Sequence, residues 1–314
     1  MSAFQRLGLD PLLIEAKHQY SETQEQTQNT FAFKWSKRDT YESEAVKSET
    51  KRWLFERYCD NKPELVDEWL AGDRKIILDA GCGSSFSALL FFGGHLKNHD
   101  YLGIDISSAV DIAKTRFQEI GYPGEFLQVS LLEIPIEDES IDIIFSEGVL
   151  HHTDNTATSI KYLANKLRKG GRFLFYVYAK KAVIREFTDD CIREQLQKLS
   201  DEEAWEALKP LTKLGIELGK LNIEINVPED IPFLKIGKGK MDLQRFFYWN
   251  ICKLFYRPEY SLEEMNHINF DWFRPLNCHR HTKEEIISYC DNANLMIERI
   301  NVQESGITVV ARKL

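Results

Sequence analysis

Short apolar runs alternate with amphipathic segments through the middle of the chain. The runs predict β-strands at 75–80, 100–105, 125–129, 140–146 and 172–179. Between them, apolar residues recur at helical spacing over 108–120 and over 156–168. Such alternation predicts an α/β fold, in which right-handed crossovers join parallel strands and helices cover both faces of the sheet.

The two ends of the chain follow other patterns. Residues 1–74 predict helices over 43–59 and 63–70, preceded by a polar, glutamine-rich linker or lid at 18–30. After residue 179 the alternation stops for about a hundred residues, and capping-box patterns at Ser200, Ser261 and Thr282 predict three helix starts. Two last strands, predicted at 296–303 and 306–313, must be antiparallel because a short turn joins them.

These patterns divide the chain into four predicted parts. They are an N-terminal helical lid (1–74), a core (75–180), a helical insertion that covers the substrate (181–280) and a last helix with two strands that complete the core (281–314). Within the insertion, residues 235–257 mix bases with aromatic residues. That mixture predicts a helix buried in the insertion or in a homodimer contact, with a membrane or partner surface as the alternative.

A glycine turn follows the first predicted strand. Asp79 stands ahead of Gly81 and Gly83, and the next residues begin a helix. A strand that turns on glycines into a helix brings bare backbone N–H groups close to a ligand. Asp105 ends the second strand, where a carboxylate can bind ribose hydroxyls. Turn and acid together predict an adenosine-containing cofactor in a Rossmann-like fold.

The residues around the turn disfavour a dinucleotide. Phe86 stands where the third glycine of a dinucleotide fingerprint would be. Asp79 would repel a pyrophosphate and suits a cationic ligand, such as a sulfonium or an ammonium group. A nicotinamide oxidoreductase is therefore only an alternative.

Four segments, in order, resemble those of class I S-adenosylmethionine (SAM) dependent methyltransferases of the small-molecule, type 11-like branch. The glycine turn resembles motif I, Asp105 the ribose-binding acid, residues 142–152 the strand-four motif and residues 167–175 the turn into strand five. The resemblance implies a Rossmann-like seven-stranded sheet of order 3-2-1-4-5-7-6, with the last strand antiparallel. It also implies SAM as cofactor and methyl transfer as the activity.

The resemblance further implies which residues meet the cofactor. The candidates in the core are Asp79, Gly81, Cys82, Gly83, Asp105, Ile106, Ser130, Leu131, Leu132, Glu147 and Gly148. Ser130 replaces the acid that commonly meets the adenine amino group, and Ser85 stands at the third glycine of motif I. For Glu147, a structural cap of the strand end is the alternative.

Two further candidates precede the core. Trp35 is expected to stack over the cofactor and Arg38 to pair with its carboxylate, in a lid whose closure excludes water. A hydrophobic staple of the N-terminal helices is the alternative for this segment.

Histidines provide the candidate bases. A hydroxyl acceptor must lose its proton, and histidine has an ordinary pKa near neutrality. His151 and His152 follow strand four, and His279 with Asp271 form a candidate substrate-binding pair in the polar, aromatic segment 266–281. For that segment a metal site and a hydrogen-bonded loop are the alternatives, and we predict no metal.

Composition narrows the expected partners. The 314 residues are 43% hydrophobic and 28% charged, as in soluble globular proteins, and the net charge of −9 disfavours nucleic acid and anionic membranes. The six cysteines lack zinc or redox spacing and predict reduced thiols in the cytoplasm. No apolar run approaches the about 18 residues of a membrane span, and the first residues lack the apolar region of a signal peptide.

We therefore expect a cytoplasmic SAM-dependent methyltransferase that binds a small-molecule acceptor, with neither nucleic acid nor membrane as a partner and with a homodimer possible. The favoured reaction is O-methylation of a sugar or natural-product-like metabolite by a histidine base. Residues 146–149 also lack the Asn/Asp-Pro-Pro-Tyr/Phe motif of nucleic-acid amino methyltransferases. N- or C-methylation of a small metabolite and a non-catalytic SAM-binding scaffold are the alternatives.

Overall fold

The computed structural model describes residues 2–10 and 20–314, which form two compact units. The first unit contains residues up to Ser36 together with Lys47–Ala179 and His279–Leu314. The second contains Lys37–Val46 and Lys180–Cys278. The division into four parts with separate roles stays a prediction.

Nine strands occur in the described residues. They are β1 (Ile76–Ala80), β2 (Asp100–Asp105), β3 (Glu125–Gln128), β4 (Ile141–Glu147), β5 (Leu167–Tyr178), β6 (Glu224–Val227), β7 (Gly239–Asp242), β8 (Leu295–Val302) and β9 (Gly306–Lys313). Seven of them form one sheet in the first unit, in the order β3-β2-β1-β4-β5-β9-β8. Strands β1 to β5 pair in parallel, and β9 is antiparallel to both β5 and β8. The predicted sheet is confirmed, since the final hairpin follows β5 as expected, with β9 beside β5 and β8 at the edge.

The same described residues contain twelve α-helices. They are α1 (Ala3–Leu7), α2 (Glu22–Ser36), α3 (Glu44–Cys59), α4 (Glu64–Leu70), α5 (Phe86–Phe92), α6 (Ala109–Glu119), α7 (Thr156–Lys166), α8 (Val183–Leu196), α9 (Asp201–Lys220), α10 (Leu243–Asn250), α11 (Leu262–Phe273) and α12 (Lys283–Asn292). The predicted capping boxes at Ser200, Ser261 and Thr282 are confirmed at the starts of α9, α11 and α12. In each box the hydroxyl and the acid three residues later bind each other's backbone N–H groups, which satisfies two otherwise unpaired donors.

The central strands carry the core of the first unit. All five residues of β1 and all six of β2 are buried, so both faces of the sheet are covered. This explains why the sequence shows continuous apolar runs there instead of an alternating pattern. The carboxyl ends of β1, β2 and β4 lie along one edge, because these strands are parallel neighbours.

Three expectations about secondary structure are wrong. The polar stretch 22–30 belongs to helix α2, whereas residues 18 and 19 lie outside the described residues. Glutamate and glutamine favour helix, and burial of Thr27 and Thr30 anchors this helix in the first unit.

The second error concerns the start of strand β5, which begins at Leu167 and therefore earlier than predicted. Leu167 pairs with Ile141 of β4, and the register of the two strands shifts between Ile141 and Ile143.

The third error concerns 235–257, of which only the residues of α10 are helical. Residues 239–242 instead form β7, which pairs with β6, so the inserted segment is not wholly helical. Gly237 and Gly239 interrupt any helix before α10, since glycine is a poor helix former.

We expect Gly306→Ala to destabilise the first unit by about 1–3 kcal/mol, because overpacking forces neighbours apart. A Cβ at Gly306 would overlap the Tyr176 ring and the Val177 carbonyl oxygen, where β9 pairs with β5. Urea unfolding followed by circular dichroism measures the change. Gly94→Ala is the matched control, since a Cβ there meets nothing within 4 Å; equal midpoints for the two variants would contradict this account of the strand pairing.

Candidate active site

The glycine turn after β1 is held by hydrogen bonds to β2. The amides of Gly81 and Cys82 both donate to the Ile104 carbonyl oxygen at 2.8 Å, and the Gly83 amide donates to Asp105 Oδ2 at 2.8 Å. Gly81 and Gly83 have φ values of +83° and +49°, which side chains rarely tolerate. A Cβ on Gly81 would overlap Val149, and one on Gly83 would lie 2.5 Å from Trp35 Nε1. Both positions therefore require glycine.

Two serines continue the turn into α5. Ser85 has φ +55°, and its Oγ lies 2.8 Å from the Tyr101 hydroxyl oxygen, to which it donates because the Tyr101 proton is directed to Asp79. Ser84 is fully buried, and its Oγ has no hydrogen-bond partner among the described residues. Buried polar atoms without partners are rare in proteins, so Ser84 adds an unused polar group to the turn.

Asp105 is a buried acceptor at the end of β2. Its Oδ1 accepts hydrogen bonds from the Ser107 amide at 2.8 Å and the Ser107 hydroxyl at 2.7 Å, while Oδ2 accepts the Gly83 bond. A carboxylate has about four lone-pair sites, so one remains for a ligand hydroxyl. Burial raises the pKa of Asp105, and the bonds from Ser107 and Gly83 oppose that rise.

Asp79 has fewer donors. The Tyr101 hydroxyl donates to its Oδ2 at 2.5 Å. Burial, together with the nearby charges of Asp105 and Glu147, raises the pKa of Asp79 to about 7 despite the Tyr101 bond. A cation beside Asp79 would lower that pKa again, so the geometry fits a positively charged ligand.

Glu147 ends β4 inside a buried polar cluster. Arg57 forms an ion pair with its Oε1, and the Tyr58 hydroxyl donates to its Oε2 at 2.6 Å. The Arg57 guanidinium also lies 4.3 Å from the centre of the Tyr176 ring. Both carboxylate oxygens of Glu147 are thus engaged by α3, as the strand-cap alternative requires.

Helix α2 lies against the turn and the end of β4. Trp35 packs on Gly83, and the Phe31 ring meets the His152 ring edge to face at 5.0 Å. Gln28 Nε2 donates to the Ile106 carbonyl oxygen at 2.7 Å. Trp35 therefore reaches the glycine turn. Arg38 belongs to the second unit, where its guanidinium pairs with Glu42 at 2.7 Å.

The remaining cofactor candidates lie near the carboxyl ends of β3 and β4. Ser130 is half-buried, and its Oγ accepts a weak bond from the Leu132 amide at 3.3 Å. Leu131 is buried in the main apolar core, whereas Leu132 is half-buried. Gly148 has φ +75° and directly precedes Val149, the residue that packs on Gly81.

The histidines predicted at separate places in the sequence lie together in the first unit. The His151 ring lies 3.7 Å from Tyr178 and 4.2 Å from His152 between ring centroids. The His279 amide donates to the His151 carbonyl oxygen at 2.9 Å, and His279 Nε2 lies 3.0 Å from the Thr153 carbonyl oxygen. Backbone pairing of His281 with Tyr178 at 2.9 Å holds this segment beside the end of β5.

The earlier part of segment 266–281 lies in α11 of the second unit. His267 Nδ1 is 2.7 Å from Thr40 Oγ1, and Asn266 and Asn269 bond to Thr212. These contacts match the hydrogen-bonded alternative, although the segment up to Phe273 is a helix and not a loop. Asp271 and His279 belong to different units, so a His–Asp pair stays a prediction. Within residues 2–10 and 20–314, no group of three His, Cys, Asp or Glu residues is arranged to hold a metal.

Sequence reasoning missed the residues that hold the candidate carboxylates. Tyr101 binds Asp79, and Arg57 with Tyr58 binds Glu147. The one available signal was a tyrosine at the start of a buried strand, since a buried tyrosine hydroxyl usually needs a partner. Nothing in the linear pattern of α3 indicated the Glu147 pair, because it joins residues 90 positions apart.

The comparison with known families agrees with this arrangement. Residues 78–175, from β1 to β5, match the Methyltransf_11 family, described as a methyltransferase domain. By this match, residues 78–175 are a methyltransferase domain.

Curated relatives match somewhat more than a third of the chain or less. An uncharacterized protein of Synechococcus is 34% identical over 37% of this chain and 29% of its own length. The tRNA U34 carboxymethyltransferase of Methylococcus capsulatus is 32% identical over 33% of this chain and 32% of its own length. The chain thus spans about a third of the length of the curated relatives it matches.

Solved structures that align along nearly the whole chain include one methyltransferase. It is the 1,6-didemethyltoxoflavin-N1-methyltransferase of Burkholderia thailandensis, at 14% identity and a TM-score of 0.48. The alignment covers 96% of this chain and 97% of that protein.

The expectation of a small-molecule acceptor with nucleic acid excluded is wrong. Several curated relatives of the methyltransferase domain are named as tRNA-modifying enzymes. The exclusion rested on the missing nucleic-acid amino methyltransferase motif at residues 146–149 and on the net charge of −9, which sums over the whole chain. Binding of a polyanion depends on local charge instead, so the sum could not exclude it.

No helix in the described part of the chain has both the length and the apolar character needed to cross a membrane. All six cysteines are free, and five of them are buried.

We expect Asp79→Asn to stabilise the protein above neutral pH and to weaken SAM binding. The folded pKa of about 7 exceeds the ordinary 3.8, so the folded protein holds this proton more tightly than the unfolded chain does. Stability therefore falls as the pH rises from about 4 to about 7. A neutral Asn, which still accepts the Tyr101 bond, should gain up to about 4 kcal/mol near pH 8 and much less near pH 5.

Thermal unfolding at the two pH values and calorimetric titration with SAM near pH 8 measure these effects. Loss of the carboxylate should weaken binding of the cationic cofactor at least about tenfold. Asp73→Asn, at an exposed position, is the matched control and should change neither quantity. A pH-independent gain in stability, or unchanged SAM affinity, would refute the role given to Asp79.

Proposed function

We propose that the protein transfers the methyl group of SAM to a hydroxyl of a tRNA nucleoside, with a histidine as general base. The observation that carries the choice of SAM as methyl donor is the burial of both Asp79 and Asp105 beside the glycine turn of a methyltransferase domain. The choice of tRNA as acceptor rests on relatives that are named as tRNA-modifying enzymes and on exposed lysines of the second unit.

The residues of the turn fit SAM. In this proposal Asp105 accepts a hydrogen bond from a ribose hydroxyl with its remaining lone pair, and Asp79 faces the positively charged part of the cofactor. Ser84 supplies a hydroxyl that has no partner among the described residues. When bound, SAM supplies a methyl group already activated by the sulfonium, so the protein must orient the acceptor and remove its proton.

The base in this proposal comes from the histidines after β4. His151 is fully buried against Tyr178, whereas His152 contacts Phe31 of α2. We therefore assign proton removal to His152 and its orientation to His151. The contacts of Phe31 and Trp35 support a role for α2 as a lid that opens to admit both reactants and closes to exclude water.

Three exposed lysines on a hairpin of the second unit support tRNA as the acceptor. Lys235, Lys238 and Lys240 are exposed on and beside β7, and Phe233 is 79% exposed in the preceding turn. Lysines that neutralise phosphates supply much of the affinity for nucleic acid, and an exposed aromatic ring can stack on a base. The free cysteines support a cytoplasmic location, where tRNA occurs and thiols stay reduced.

We expect the protein to transfer labelled methyl groups from SAM to total tRNA. Replacement of Lys235, Lys238 and Lys240 by Gln should weaken tRNA binding and reduce the slope of log affinity against log salt by about 2–3, since each lysine neutralises about one phosphate. Filter binding at several salt concentrations measures the slope.

A matched triple variant provides the control for charge. Lys62, Lys161 and Lys169 are exposed outside the hairpin, and their replacement by Gln should leave the slope unchanged. No label in tRNA from protein that binds SAM would refute the acceptor. An unchanged slope in the hairpin variant would refute the docking surface alone.

We expect His152→Gln to lower kcat by about 10²–10⁴ without changing the Kd for SAM, as for the loss of a general base. The rise of kcat with pH should also disappear. His95→Gln is the control, because His95 pairs with Asp67 at a partly exposed position away from the turn. Full turnover by both His152→Gln and His151→Gln would show that neither histidine acts on the acceptor proton.

A further inference from the structure

Three buried cations converge on one indole ring in the second unit. Lys181 Nζ, Arg185 Cζ and Lys253 Nζ lie 5.4, 5.2 and 4.9 Å from the centre of the Trp272 ring. All three residues are buried, and the Arg185 side chain is only 1% exposed. We refer to Lys181, Arg185 and Lys253 as the cationic cluster. Burying several like charges together costs several kcal/mol per ion unless counter-charges compensate.

The counter-charge inside the cluster is limited. Asp189 is the buried carboxylate there; its Oδ2 accepts bonds from Arg185 Nε at 3.1 Å and Trp272 Nε1 at 2.7 Å, and its Oδ1 accepts the Lys253 amide at 3.2 Å. Asp271 acts on Lys253 and Glu186 on Lys181, but both carboxylates are half-buried. Within the described residues Asp189 is thus the fully buried carboxylate set against these side chains, and it contacts Arg185 directly.

The pKa values of the lysines reflect this imbalance. Burial lowers the pKa of Lys253 to about 7. The Arg185 charge acts in the same direction, whereas Asp271 opposes the change. Burial and the charges of Arg185 and Lys253 lower the pKa of Lys181 well below its ordinary value, although Glu186 opposes the change. Both lysines therefore hold their protons weakly, and an anion beside them would favour the protonated forms.

Arg185 is held with one donor unused. Its guanidinium lies 4.8 Å from the Tyr248 ring centre and 5.6 Å from that of Trp249, in addition to Trp272. These rings and the Asp189 bond fix its plane. Its Nη1 is buried and has no hydrogen-bond partner within the described residues. A fixed guanidinium with a free edge matches the geometry of phosphate and carboxylate oxygens.

We propose that the second unit binds an oxyanion, a phosphate or a carboxylate group of a ligand, between Arg185, Lys181 and Lys253. The Arg185 Nη1 donor and the two ammonium groups supply the hydrogen bonds, and Trp272 forms an apolar wall. None of its residues belongs to the methyltransferase domain or to the lysines proposed to dock tRNA, so the site can be tested separately from the proposed function.

Thermal unfolding of the full chain in sulfate, inorganic phosphate, acetate or malonate tests the site, with sodium chloride at equal ionic strength as reference. We expect a saturable rise in Tm of about 4 °C or more with an oxyanion, since a ligand that binds only the folded state stabilises it. A response to phosphate and sulfate alone indicates a phosphate-bearing ligand, and a response to acetate or malonate alone indicates a carboxylate.

Lys253→Met separates this site from general salt effects. The variant keeps the length of the side chain and removes a buried charge, so without oxyanion it should unfold at a higher temperature than the wild type, and its oxyanion response should be lost. Lys209→Met is the matched control in the same unit, where Lys209 pairs with Glu206 and Glu263 near the surface; it should keep the full response.

Calorimetric titration of wild type and Lys253→Met with sulfate gives a second readout that does not depend on unfolding. Heat of binding in the wild type that disappears in the variant supports the site. Equal responses of the two proteins, or a chloride effect as large as that of the oxyanions, would overturn the proposal.

Discussion

The hydrogen bond from the Gly83 amide to the Asp105 carboxylate is the contact on which the cofactor end of the first unit depends. It joins the turn after β1 to the end of β2 at 2.8 Å. The bond requires the left-handed conformation of Gly83, and the missing side chain leaves the space in which Trp35 packs. One glycine therefore sets the direction of a backbone donor, the position of a carboxylate and the approach of helix α2.

Buried charge of opposite sign distinguishes the two units. In the first unit three carboxylates lie near the carboxyl ends of the strands, and each is stabilised differently: Glu147 by Arg57 and Tyr58, Asp105 by three N–H and O–H donors, and Asp79 by Tyr101 alone. Asp79 bears the largest cost and is the group a cation would help most. In the second unit buried cations surround Trp272 with Asp189 between them. A cationic cofactor and an anionic group would each relieve one of these imbalances.

The family match covers one segment of this chain, whereas the composition describes the whole of it. The tRNA-modifying relatives match about a third of this chain, and the second unit lies outside the family match at residues 78–175. The total charge does not show where the exposed lysines around β7 lie, because a sum over 314 residues contains no positions. In our proposal the acceptor docks on this second unit.

The sequence by itself determined the parallel strands, the edge hairpin, the capping boxes and the acid–glycine turn, because each depends on backbone preferences or periodicity within a few residues. Only the tertiary structure decided which partners these residues meet. Tyr101 reaches Asp79 across 22 positions, Arg57 reaches Glu147 across 90, and His279 bonds to Thr153 across 126. The sequence pattern did not predict helix α2 for the same reason, since burial of its threonines depends on a surface that the folded unit supplies. Contacts of this kind arise from packing between distant segments, which local patterns do not encode.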